Sequence, residues 1–413
     1  MHKKPSIQNF ILIFFFVTCF TVQAQNTSSP SVGVIGDNSA LGPIAGREGF
    51  DHMKMWQTIS GQRPLSSYEE ETQEALKSIG LNGEAEKKRS PKILWPSKRE
   101  FSGPIDWVLG HIYIAFSRLY VEKPSLAWGY LMGKKLGAED ENILIAANNQ
   151  AKVTDIPRQM DRILEETKGY LPEYIIIFFA YGDLCAPNMN LVPNQESYQS
   201  SLERGLRYIF LNGKSKDQQK TKIILASYPP TVQILSQPNK IVYANGKELS
   251  CKVLKQQSYQ ASNHKELENK IPAEGLYLTN FLTPGTRCQT LAAPYSLAKA
   301  KLGLFSSFNK VKEDSTIKKH VEEHMSELAG IVRQYKQGAK QAVENISAWA
   351  QKEKKQDSVE LSFVDMHEIN FKKSDLAEDC FNLSVNGSSK IVNHIYSRQF
   401  DPNQTHSSAK SHQ

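Results

Sequence analysis

The chain has 413 residues, enough for one large domain or two to three ordinary ones, and its 40% hydrophobic residues can bury a sizeable core, which sets it apart from a disordered chain. Lys plus Arg number 50 against 43 Asp plus Glu, a formal net charge of +7. The basic residues fall in short clusters mixed with acids, such as "EKKRSPK" and "QKEKKQ", which argues against a nucleic-acid-binding stripe and leaves only weak attraction to anionic surfaces.

The first element is "MHKKPSIQNFILIFFFVTCFTVQAQ": Lys3 and Lys4, an apolar stretch from Phe10 to Phe20, then Val22, Gln23 and Ala24. This pattern predicts a secretory signal peptide over residues 1–24, and its apolar core is too short for an ordinary membrane span. Cys19 follows Thr18, a poor fit to a lipoprotein cleavage site. The mature chain is therefore expected to be exported, periplasmic or secreted, without a stable membrane span. Cys185, Cys251, Cys288 and Cys380 then meet an oxidising compartment and allow two disulfides in three connectivities. Cys251 and Cys288 share one irregular segment, whereas Cys185 and Cys380 lie in two loops that follow strands; those two bridges are expected.

Five short β-branched apolar runs follow in order: "SVGVIG", "NILIAAN", "EYIIIFFA", "KIILASY" and "VELSFVD". Each is nearly continuous in apolar residues, as expected of strands covered on both faces. Helical stretches lie between them: "PIDWVLGHIYIAFSRLY", "DIPRQMDRILEETKG", "SYQSSLERGLRYIFLNG", and a long one from about Thr316 to Lys352. The alternation predicts one α/β domain over residues 25–400, a three-layer α/β/α sandwich around a five-stranded, mostly parallel, flavodoxin-like sheet. Polar inserts are expected at about 60–102 and 229–310, and a disordered tail at 401–413.

In an open α/β sheet the site lies beyond the carboxyl ends of the strands. Those ends read "GDNS", "NNQAKVTDIPRQ", "AYGDLCAP" and "DCFNLS". Their order and wording resemble the SGNH (GDSL) hydrolase superfamily, especially its phospholipase B-like branch. The resemblance implies that Asn38 stands at the nucleophile position and Asn382 at the base position. Gln150 and Gly182 then occupy the oxyanion-hole glycine and asparagine positions, Asp379 would orient the base, and Asp37 and Asp183 match their blocks.

Four of the residues that define that chemistry differ. Asn38 carries no hydroxyl to activate, and Asn382 cannot exchange a proton near neutral pH. Gly182 lacks a side-chain donor whose loss typically costs about 10²–10³ in rate. The expected protein is thus a catalytically inactive relative that binds a small molecule, an acylated glycan, a lipid or an envelope component. Two alternatives stand beside it: a carboxylic-ester hydrolase using Ser39 with His367 or His394, and a structural envelope protein. No cofactor and no metal is expected. His320 and His324 fit an H-x-x-E-H zinc pattern, but they sit at the margin of an amphipathic helix with no third ligand evident, and "GYLMGKK" lacks phosphate-loop spacing.

Overall fold

The structure is a computed structural model, and the description covers residues 29–42, 69–81, 91–96, 103–104, 107–108, 123–148, 151–186, 188–216, 219–230, 241–244, 247–250, 289–291, 315–355, 358–377 and 381–401. The expected signal peptide, most of the helix expected at 104–120, most of the 229–310 segment and the tail from 402 lie outside these residues.

All five apolar runs are strands of one sheet: β1 (Val32–Gly36), β3 (Ile143–Ile145), β4 (Tyr174–Phe178), β5 (Thr221–Ala226) and β8 (Val359–Val364). A sixth strand, β2 (Lys92–Ile93), corrects the expected count of five. It lies in the segment read as a polar insert, where the helix α1 (Glu69–Ser78) also forms. Two residues at a sheet edge, with Lys92 turned to water, leave no apolar run to notice; β2 is identified by its pairing, Ile93 with Ile145. A separate antiparallel hairpin, β6 (Ile241–Ala244) with β7 (Lys247–Ser250), falls in the second insert.

The sheet order is β2-β3-β1-β4-β5-β8, and every pairing is parallel. From β1 the chain moves to one side and then returns to the other, so the order reverses at β1, the place where open sheets present a crevice. Val32, Val34, Ile35 and Ile175 to Ile177 are fully buried, because helices cover both faces. One layer holds α3 (Ile156–Glu166), α4 (Gln195–Asn212) and α5 (Ser315–Lys352); the other holds α1, α2 (Trp128–Lys135) and α6 (Val385–Phe400).

Local signals place these helices. Asn194 caps α4 by accepting from the Ser197 N–H, and Ser384 caps α6 by accepting from the Gly387 N–H. In α5 the buried residues Met325, Leu328, Val332, Tyr335, Ala339, Ala342 and Ile346 recur every three or four positions, one apolar stripe laid against α4 and β8.

Candidate functional site at the carboxyl end of β1

Gly36 closes β1 where the chain has little room. A Cβ there would stand 2.4 Å from the Phe178 carbonyl oxygen. Its backbone is held by a side chain of α3: the Gly36 N–H donates to Gln159 Oε1 (2.8 Å) and Gln159 Nε2 donates to the Gly36 carbonyl (2.9 Å). A buried glutamine thus continues the ladder at a strand end and fixes the direction of the next residue.

That residue, Asp37, is wholly buried. One carboxylate oxygen accepts from the Ser39 N–H (3.0 Å); the other accepts from the N–H groups of Ala180 (2.8 Å), Tyr181 (2.7 Å) and Gly182 (3.1 Å). Burial pushes its carboxyl above the ordinary value, and these bonds pull the other way. The carboxylate occupies a nest of backbone donors at the end of β4, so those N–H groups are already spoken for.

Asn38 Nδ2 donates to Asn382 Oδ1 at 3.1 Å, across 344 positions of sequence. The loop carrying Asn382 is held by its neighbour: Phe381 stacks on Tyr181 (4.6 Å between centroids), and the Tyr181 hydroxyl donates to the Phe381 carbonyl at 2.8 Å. Gly182 adjoins the same spot, and a Cβ on it would lie 1.7 Å from the Ala151 carbonyl oxygen. The turn after β3 therefore fills the space in which a side chain at position 182 would stand. Asn38 meets Asn382, and Asp37 beside it holds Gly182; Gln150 and Asp379 lie outside the described residues.

Ser39 is buried, and its Oγ accepts from Trp128 Nε1 at 3.1 Å. Trp128 is itself fixed edge-on against Phe178, with centroids 5.2 Å apart. The candidate base His367 sits elsewhere, in the turn after β8, with its ring bonded to the Val332 carbonyl of α5 and Nε2 buried without a partner. Burial lowers its pKa below the usual histidine value. His394 Nε2 meets the Asp365 carbonyl oxygen at 2.8 Å. Burial alone would raise Asp365, yet the Lys336 ammonium at 2.6 Å and the His367 N–H hold it below the usual carboxylate range. The His394 ring thus ties α6 to the turn after β8, and the His367 ring ties that turn to α5.

Asp183 lies behind Gly182, also buried. It is held to the turn after β3 and to Tyr228, whose place at the end of "KIILASY" carried no signal in the sequence. Cys185 is disulfide-bonded, and Cys251, Cys288 and Cys380 lie outside the described residues. Among the described residues no group of three or more His, Cys, Asp or Glu side chains is placed to hold a metal ion. No helix among them is long and apolar enough to cross a membrane. No protein-family model matches the chain, and no curated protein matches it.

Proposed function

We propose that this chain is an exported, catalytically silent protein on an SGNH-like hydrolase frame, which uses its crevice to hold a neutral, hydroxyl- or amide-bearing ligand such as an acylated glycan, a lipid or a cell-envelope component. The observation that carries the reading is the Asn38–Asn382 hydrogen bond. The positions that the resemblance assigns to nucleophile and base meet, and they meet as two carboxamides. Two amides can recognise donors and acceptors of a ligand but can neither attack an ester nor move a proton at neutral pH. The carbonyl of Ala151 beside Gly182 supports the same reading, because it leaves no space there for an oxyanion donor. The disulfide at Cys185 supports export.

A displaced Ser39 nucleophile fits the geometry less well, since its hydroxyl is buried under Trp128 while both candidate histidines face other groups. A purely structural role is favoured by one feature, the burial of Asn382 and Gly182. The test uses the purified mature protein. With 4-nitrophenyl acetate and butyrate, turnover at the level of buffer is expected, and robust hydrolysis lost in Ser39→Ala would overturn the reading. Calorimetric titration with acetylated xylo-oligosaccharides and with lysophosphatidylcholine separates binding from scaffolding. Binding of either that is lost in Asn38→Ala supports the crevice, and binding of neither makes the structural role the better account.

A further inference from the structure

Asp183 has no part in that reading, yet it is a buried titratable group directly behind Gly182. It is 1% exposed, and its partners come from separate segments. Its Oδ2 accepts from the Val153 N–H of the turn after β3 (3.1 Å) and from the Tyr228 hydroxyl at the end of β5 (2.8 Å). The Tyr228 oxygen accepts in return from the Asp183 N–H at 2.8 Å. Tyr198 of α4 and Tyr335 of α5 stack at 4.0 Å and both stand edge-on to Tyr228, so three phenol rings wall the site.

Among the described residues, the charged and titratable groups facing it come from five elements or turns. Lys152 and Asp155 come from the Val153 turn, Tyr228 from β5, Tyr198 from α4 and Tyr335 from α5, while Asp37 at the end of β1 faces Tyr228. Burial pushes the Asp183 carboxyl up to about 7, against the opposing pull of the Val153 N–H, the Tyr228 hydroxyl and Lys152.

We propose that Asp183 is a proton-operated latch on the crevice wall: protonated, it keeps the turn at Val153–Asp155 seated against the turn at Gly182–Leu184, and ionised, it drives the two apart to hydrate its charge. Val153 lies two residues beyond Ala151, whose carbonyl fills the space beside Gly182. Separating the turns therefore clears that wall. The latch rests on the burial of Asp183 and on its bonds to two separate segments, and not on what the crevice binds.

The sign follows from linkage. A carboxyl hydrated in the open state titrates near its ordinary 3.8, and in the closed state near 7, so protons favour closure. The opening constant should rise about tenfold per pH unit between about pH 4 and 7, roughly 10³-fold in all, and level off above.

Native-state amide exchange of the mature protein tests this, read at the Val153 N–H from about pH 4.5 to 8.5 and corrected for the intrinsic rate. Protection of Val153 is expected to fall with that slope and to stay below the protection of amides in β5, which report global unfolding. In Asp183→Asn, a neutral acceptor of the same shape, the profile should be flat. A flat profile in the wild type, the same slope in the variant, or Val153 exchanging no faster than β5 would each overturn the latch. Should the variant fail to fold, the carbon-13 shift of the Asp183 carboxyl in the wild type decides: a midpoint near 7 supports the latch and one near 4 overturns it.

Discussion

Placing a single methyl group at position 182 tests whether the crevice wall is as closed as its geometry states. In Gly182→Ala the new Cβ would begin 1.7 Å from the Ala151 oxygen and 2.8 Å from its carbonyl carbon. A carbon–oxygen contact relaxes to about 3.3 Å, so the Ala151 turn must retreat by about 1.6 Å. That turn is tied down by Val153 N–H to Asp183 (3.1 Å) and by Lys152 N–H to Asp155 (2.9 Å). Overpacking costs about 1–3 kcal/mol, and a displaced buried hydrogen bond about 1–3 more, giving roughly 2–6 kcal/mol. With an unfolding entropy of about 2.1 cal/mol/K per residue, or roughly 0.8 kcal/mol/K for a domain of this size, the Tm should fall by about 3–7 °C. Differential scanning calorimetry at pH 6 reads this directly. A Tm within about 1 °C of the wild type, with the Val153 amide resonance unmoved, would refute the closed wall. The same clash means that Gly182→Asn, the substitution that would restore a side-chain oxyanion donor, should lose stability without gaining esterase activity.

Asp37→Ala removes the acceptor for four backbone N–H groups and should cost more than Asp37→Asn, which keeps one oxygen; a loss of about 3–5 kcal/mol for the alanine variant in urea titration is expected. His367 has a lowered pKa, so its neutral form is the one the fold accepts: the stability it confers is fully present above about pH 6.5 and is lost as pH falls below that value. The urea midpoint of His367→Leu should therefore gain on the wild type as pH falls from 7 to 5, and a constant difference would refute the assignment. Non-reducing peptide mapping should join Cys185 to Cys380, since Tyr181, four residues before Cys185, holds Phe381; a bridge from Cys185 to Cys288 or Cys251 would reject that pairing.

Most of the fold was legible in the residues because burial on both faces leaves a signature of its own. β1, β3 and β4 are buried apolar runs, α5 carries its stripe at helical spacing, and the Asn194 and Ser384 caps sit where their helices begin; the edge strand β8 is only partly buried, with Glu360 exposed. The edge strand β2 was not legible, since two residues half in water need no apolar run and are defined by their neighbour β3 alone. At the candidate site the residue types were enough to exclude a serine–histidine relay at positions 38 and 382. They were silent on three arrangements: that these two amides bond each other, that Trp128 covers Ser39, and that the ring of His394 turns to the Asp365 carbonyl while that of His367 turns to Val332. They were silent also on why position 182 must be glycine. Local propensity and burial pattern act over a few residues and are written in the chain order. Contacts between positions 38 and 382, 39 and 128, or 151 and 182 come into being only when the sheet brings its strand ends together, and there the packing of whole elements decides which side chain meets which.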